Sequence, residues 1–171
     1  MAVSKKMHEK LNEQIQKEFF SEYLYLSMAA YFESIDLPGF ANFFKVQALE
    51  ERDHAMKIYT YVADTDGRVL LRQLDQPQHD FKSPLEIVEM SLEHEKFITS
   101  SIHDIVAAAL EEKDYATNTF LNWFVTEQVE EEASMATLIG KLKLVEGDGR
   151  GLLLLDTELA QRTYVPLAEE G

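Results

Sequence analysis

The stretch FANFFKVQALEERDHAMKIYTY, residues 40–61, decides the fold. Phe40, Phe44, Gln47, Glu51, His54, Ile58 and Tyr61 recur in alternating steps of four and three, the period of one helix face and not of a strand. Neither glycine nor proline interrupts it. Those breakers number 7 and 4 in 171 residues and are absent from 1–37, 40–66 and 85–139, so they punctuate long segments. Helices are expected over about 5–35, 40–66, 84–112 and 115–145, with a short fifth near 151–162. Leu37-Pro38-Gly39 separates the first two. Ser83-Pro84-Leu85-Glu86 supplies an N-cap, a proline at N1 and a glutamate at N3 for the third, and Asp114 can cap the fourth. The connections around Pro38 and Lys113 are short, which imposes antiparallel neighbours. Residues 67–83 are longer and reach at most about 55–60 Å, against ~40 Å for a 27-residue helix, so they can run back along the bundle. The second and third helices are then parallel. The expected fold class is all-α, a four-helix bundle with one long crossover and a short C-terminal fifth helix.

The same spacing runs through Leu11, Ile15, Glu18, Glu22, Tyr25, Ala29 and Phe32 on the first helix, with Glu22 less clearly placed than Glu18. It continues through Leu85, Val88, Leu92, Glu95, Thr99, Ile102, Val106 and Ala109 on the third, and through Leu121, Phe124, Gln128, Glu131, Met135, Leu138, Leu142 and Val145 on the fourth. Near the middle of each stripe, where a plain bundle carries leucine, stand Glu18, Glu51 with His54, Glu95, and Gln128 with Glu131. A single glutamate of this kind is ordinarily a bundle-edge residue. Independent edge residues have no reason to fall at matching depths on all four helices. Buried and unpaired, each carboxylate would cost several kcal/mol, and no lysine or arginine shares these central layers. Four carboxylates and one imidazole would neutralise and ligate two divalent ions, with Glu51 and His54 acting together on one of them.

Composition narrows the chemistry further. The chain has no cysteine, so thiolate nucleophiles, cysteine-held zinc and iron–sulfur centres are excluded, and any metal is held by oxygen and imidazole. Acidic residues number 31 against 16 basic, a net charge of −15 that repels nucleic acid and anionic membrane surfaces and attracts cations. Residues 1–10 lack the apolar core of a signal peptide, and no apolar run approaches the ~18 residues of a membrane span, so a cytoplasmic location is expected.

Leu11-Asn12-Glu13-Gln14, Tyr23-Leu24-Tyr25-Leu26-Ser27, Glu50-Glu51-Arg52-Asp53-His54-Ala55, His94-Glu95, Phe120-Leu121-Asn122-Trp123-Phe124 and Glu127-Gln128-Val129-Glu130-Glu131-Glu132 together resemble a non-haem prokaryotic ferritin along nearly the whole chain. The resemblance implies a single ferritin-like domain over 1–171 and a ferroxidase that oxidises Fe(II) with dioxygen or peroxide at a di-iron centre inside the bundle. It implies a hollow homo-oligomeric shell, usually of 24 subunits, in which ferric oxide mineral is stored. Carried over by position, Glu18, Glu51 and His54 hold one iron, and Glu51, Glu95, Gln128 and Glu131 hold or flank the second, with Glu51 as the bridge. Glu50, Glu127 and Glu130 correspond to a third iron position, although solvated charge on a helix flank explains them too. Tyr25 and Trp123 match the aromatic residues that such ferritins place beside the centre, as electron donors or as core packing.

Departures from neighbouring families sharpen this reading. Bacterioferritins carry a haem-ligating methionine between the glutamate and histidine of the second-helix motif; here that residue is Arg52, and haem is not expected. Rubrerythrins and many di-iron oxygenases repeat Glu-x-x-His on the fourth helix, where this chain has Gln128-Val129-Glu130-Glu131. A helical interaction protein that binds Mg²⁺ or Ca²⁺ is the alternative from another class, and His54 counts against it as a ligand for either ion. Leu152-Leu153-Leu154-Leu155 reads equally as an assembly surface or as packing onto its own subunit. His8, His79 and His103 are expected at the surface without partners, and His94 is expected to be structural.

Overall fold

A computed structural model of the chain describes residues 3–167 and places five helices and no strand among them: α1 (Lys5–Ser34), α2 (Pro38–Asp64), α3 (Pro84–Glu111), α4 (Tyr115–Leu144) and α5 (Gly149–Leu159). Helix ends follow local chemistry. Ser4 accepts from the Met7 N–H, Ser83 from Glu86 and Asp114 from Thr117, which satisfies amides that an uncapped start would leave orphaned. In the Ser83 cap the reciprocal arm differs from the simple box: the Glu86 carboxylate accepts from the Lys82 N–H at 2.6 Å. The bounds of α2 and α5 differ most from the sequence expectation. Proline at N1 starts α2 at Pro38, where its missing N–H is no loss. α5 begins at Gly149 under an Asp148 cap and ends at Leu159, because the Asn42 amide takes the carbonyls of Leu159 and Arg162 and turns the chain out of the helix.

Side-chain bonds between helices fix the topology. His8 of α1 lies 3.0 Å from Thr65 just beyond α2, and Ser4 donates to Glu112 just beyond α3 at 2.6 Å, so the start of α1 meets the ends of both. Tyr61 near the end of α2 meets Thr117 at the start of α4. α2 and α3 therefore run parallel, and both oppose α1 and α4. The crossover lies along α1: Asn12 grips the backbone of Arg68 and Leu70, Gln16 that of Gln73, and Ser27 that of Gln78. As residue numbers rise in the loop they rise in the helix, so the chain travels the length of the bundle before α3 begins.

The apolar core is divided. One cluster contains Leu24, Ala48, Val88 and Met135, the other Ile15, Ile58, Ile98 and Phe124. On each of α1 to α4, Glu18, Glu51 with His54, Glu95, or Gln128 with Glu131 falls between the two.

α5 closes the end of the bundle nearest the first cluster. Leu155 and Leu159 are buried against it, while Leu153 and Leu154 remain 60% and 73% exposed, so the leucine run serves its own subunit on one side and leaves an apolar surface on the other. Leu37 gives α2 no side-chain cap, and Asp156 of α5 supplies one by accepting from the Phe40 N–H at 2.9 Å. The close approach requires glycine at 39, where a Cβ would lie 1.7 Å from the Asp156 carbonyl oxygen. Asp156→Ala is expected to lower stability by about 1 kcal/mol, the usual worth of a cap, with Asp156→Asn largely restoring it. Gly39→Ala should cost more, because α5 itself must move; thermal melting of the three variants checks the order.

Candidate metal centre

The buried layer brings the predicted ligands together. Three groups of ligand atoms each lie within 4.8 Å of one another: Glu18, Glu51 and His54; Glu51, Glu95 and Glu131; and His54, Glu127 and Glu131. Glu51 belongs to the first two, Glu131 to the second and third, and His54 to the first and third. His54 Nδ1 stands 3.4 Å from Glu51 Oε2 and 4.0 Å from Glu18 Oε2, and Nε2 stands 3.8 Å from Glu127. Among the described residues Glu18 Oε2 is the buried side-chain oxygen or nitrogen without a hydrogen-bond partner, and it points into this layer. A buried acceptor with no donor is ordinarily avoided, and a cation in the layer would satisfy it.

Neutral donors hold five of the other carboxylate oxygens. Gln14, one helical turn before Glu18, donates to its Oε1 at 2.7 Å. Gln47, one turn before Glu51, donates to Glu51 Oε1 at 3.1 Å and to Glu131 Oε2 at 2.6 Å. Gln128 donates to Glu95 Oε2 at 3.1 Å and also to Thr99, and the Tyr25 hydroxyl donates to Glu95 Oε1. Gln14 is in turn held by Ser101, whose hydroxyl donates to its carbonyl at 2.6 Å and accepts from Lys17 at 2.5 Å. Sequence spacing placed Gln47 on the α2 stripe without a role. The i, i+4 relation of Gln14 to Glu18 and of Gln47 to Glu51 was the available signal for both glutamines.

Burial dominates the electrostatics. It raises the pKa of Glu18 above its ordinary value and those of Glu51 and Glu131 well above it, with the Glu95 charge adding to Glu51 and the Glu51 charge to Glu131. Glu95 is pushed up to about 7, less than burial alone would do because Tyr25 and Gln128 donate to it. Burial likewise takes the Tyr25 phenol well above its usual range, so it remains a neutral donor.

The flanking residues divide. Glu127 joins His54 and Glu131 in a ligand group. Glu50 is turned to Arg162, with which it forms an ion pair, and Glu130 is exposed and outside the three groups. Trp123 packs edge-on to the His54 ring with centroids 5.4 Å apart, and the Lys57 ammonium lies over the indole. His94 is structural as expected: it is bonded to Ser21 at 2.7 Å, and burial lowers its pKa to about 4. His8 departs from expectation, since the start of the crossover folds over it and supplies Thr65 as a partner. His79 and His103 are exposed, and His79 faces Asp80 at 3.4 Å.

Four long helices joined through one crossover, with carboxylates from each meeting in a single buried layer, define the class of carboxylate-lined helical bundles. Residues 8–145 match the ferritin-like domain model. The chain is 45% identical over 154 residues to a bacterial non-heme ferritin of Campylobacter jejuni, covering 90% of this chain and 92% of that protein. It is 43% identical over 162 residues to a bacterial non-heme ferritin of Staphylococcus aureus, covering 95% and 98%. Among solved structures, an open-pore ferritin from the hyperthermophilic archaeon Archaeoglobus fulgidus superposes with a TM-score of 0.93 at 50% identity, covering 94% of this chain and 98% of that one. The chain belongs to the ferritin family, on its non-haem prokaryotic side.

A pH dependence follows from the raised carboxyls. Without metal, the folded chain binds more protons at these groups than the unfolded one between the ordinary glutamate value of 4.5 and the raised values, about 7 for Glu95. These carboxyls therefore contribute stability that is fully present near pH 4.5 and lost as pH rises through 7, a loss that a bound divalent ion reduces, while His94, held near 4, contributes in the opposite sense up to its ordinary value of 6.5. Glu95→Gln should flatten the slope. Melting curves of metal-free and Co(II)-loaded protein and of Glu95→Gln across this interval check it, and a metal-free Glu95→Gln variant with the same pH slope as wild type would contradict it.

Proposed function

We propose that this chain stores iron: it oxidises Fe(II) at a di-iron ferroxidase centre within the bundle and deposits ferric oxide mineral inside a hollow shell of 24 copies of itself. The observation that carries the reading is the buried layer in which Glu18, Glu51, Glu95 and Glu131 converge around His54, with Glu18 Oε2 left without a donor. Iron is substrate and cargo. One Fe(II) enters the group of Glu18, Glu51 and His54, and the second enters that of Glu51, Glu95 and Glu131, flanked by Gln128. Hard carboxylate oxygens favour the ferric state, so each ion gives up one electron more readily here than in water. Two electrons and two protons convert one dioxygen to hydrogen peroxide; with hydrogen peroxide as the oxidant, the same two electrons and two protons yield two waters.

The chain's own residues handle proximity and charge. Glu51 reaches both ions, so they are held close enough to act on one oxidant molecule. Tyr25 fixes Glu95 by donating its hydroxyl to one carboxylate oxygen. Of the three flanking glutamates, Glu127 is the one that supports a third iron position, since it joins His54 and Glu131 while Glu50 is held by Arg162 and Glu130 lies outside the ligand groups. Leu153 and Leu154, exposed on α5, supply apolar surface for assembly. The bacterial ferritin relatives support the reading, and a cytoplasmic location goes with it. Among the described residues no helix is long and apolar enough to cross a membrane.

Anaerobic loading with Fe(II) followed by air, with ferric absorbance and particle mass read together, tests the proposal. Rapid oxidation by a large assembly is expected, slowed at least about tenfold in Glu51→Ala and His54→Ala. Oxidation no faster than in buffer, or indifferent to both substitutions, would sink the ferroxidase reading.

A further inference from the structure

The segment that follows α5 returns along α2 as a strap. Asn42 holds the backbone at its start through the carbonyls of Leu159 and Arg162, and Asp53 holds its far side by accepting from the Tyr164 hydroxyl at 2.6 Å and from the Leu167 N–H at 3.4 Å. Between these anchors the Arg162 guanidinium lies over the Phe43 ring, 4.4 Å from its centroid. Nη1 donates to the Phe43 carbonyl at 3.3 Å and to Gln47 Oε1 at 3.0 Å, and Nη2 donates to Glu50. One planar fork thus serves residues 43, 47 and 50, which follow one another along a single flank of α2.

The Gln47 bond is the consequential one. A guanidinium has donors only, so the atom that faces it must be the amide oxygen, and the amide nitrogen then faces Glu51 and Glu131. Without that donor, the side chain could turn its oxygen toward two carboxylates, where it would repel them. We propose that Arg162 is a positioning residue for the metal layer, setting Gln47 in the orientation that holds Glu51 and Glu131 together. The inference rests on reading this layer as an ion-binding centre. Arg162 touches no residue of either group directly; through Gln47 it acts on Glu51, which both groups share, and on Glu131, which the first lacks, so its influence falls more on the ion held by Glu51, Glu95 and Glu131.

Equilibrium Co(II) titration of the assembled, iron-free protein, read by its visible absorption, tests this without turnover. Wild-type protein is expected to bind at least two ions per chain; failure to do so would overturn both the ion-binding reading and this inference. Arg162→Ala should weaken one ion about tenfold, the usual effect of removing a group that orients a ligand, and change the others less. On a Gln47→Ala background the same substitution should have little further effect, since its route is gone. Equal losses on both backgrounds, or none on either, would overturn the proposal. Arg162→Met retains most of the stem over Phe43, serves if the alanine variant does not assemble, and supplies no donor to Gln47. It is expected to bind as weakly as Arg162→Ala, and wild-type affinity in it would overturn the positioning role.

Discussion

Four glutamates buried at one depth in a helical core are the constraint on which the rest of this structure depends. Each would cost several kcal/mol as an isolated anion, a sum comparable with the stability of a whole domain. The metal-free fold meets that cost in two ways. Burial shifts the carboxyls toward their neutral forms, and apolar clusters above and below the layer supply the favourable burial that the layer itself does not. The length of the helices follows from this arrangement. A bundle only a few turns tall would leave no room for apolar core on both sides of a polar floor.

The cations that lie nearest in this network stand outside the layer and act through neutral amides. Lys17 reaches Glu18 through Ser101 and Gln14, and Arg162 reaches Glu51 and Glu131 through Gln47. A lysine or arginine inside the layer would neutralise the carboxylates and compete with any incoming ion for their oxygens. An amide transmits orientation and adds no net charge, so the layer keeps its demand for a cation. The demand is most visible at Glu18 Oε2, whose partner oxygen is satisfied by Gln14 while it is not. Preorganised ligands with an unmet charge bind a metal without first having to be gathered, which is where the affinity of such sites is gained.

The ligands were legible in the sequence because a helix converts spacing into facing. Glu51 and His54 stand on the α2 stripe with Phe44 and Ile58, and Glu95 stands on the α3 stripe between Leu92 and Ile102, so period alone turns them inward. The supports were less legible. The i, i+4 step from Gln14 to Glu18 and from Gln47 to Glu51 is a local signal that spacing contains. The Ser101 hydroxyl, the Asp156 cap and the Arg162 fork join residues about 87 to 116 positions apart, and no local pattern encodes such contacts. His8 was misread for the same reason, since its partner Thr65 comes from the far end of another helix. The leucine run could not be divided from composition alone, because which side of α5 is covered depends on where the Gly39 approach seats it.

α2 is where these dependencies meet. Its first turn has no cap of its own and takes one from Asp156, its flank is gripped by the strap through Asn42, Gln47, Glu50 and Asp53, and its inner face carries Glu51 and His54. α5 and the segment after it thus complete the helix bearing both the shared carboxylate and the imidazole. A bundle formed from α1 to α4 alone would contain every predicted ligand. It would lack the donor that turns Gln47 toward the layer and the acceptor that closes the start of α2. Residues more than a hundred positions downstream therefore belong to the site as fully as its ligands, because they determine which atoms of a glutamine face the two carboxylates nearest the bridge.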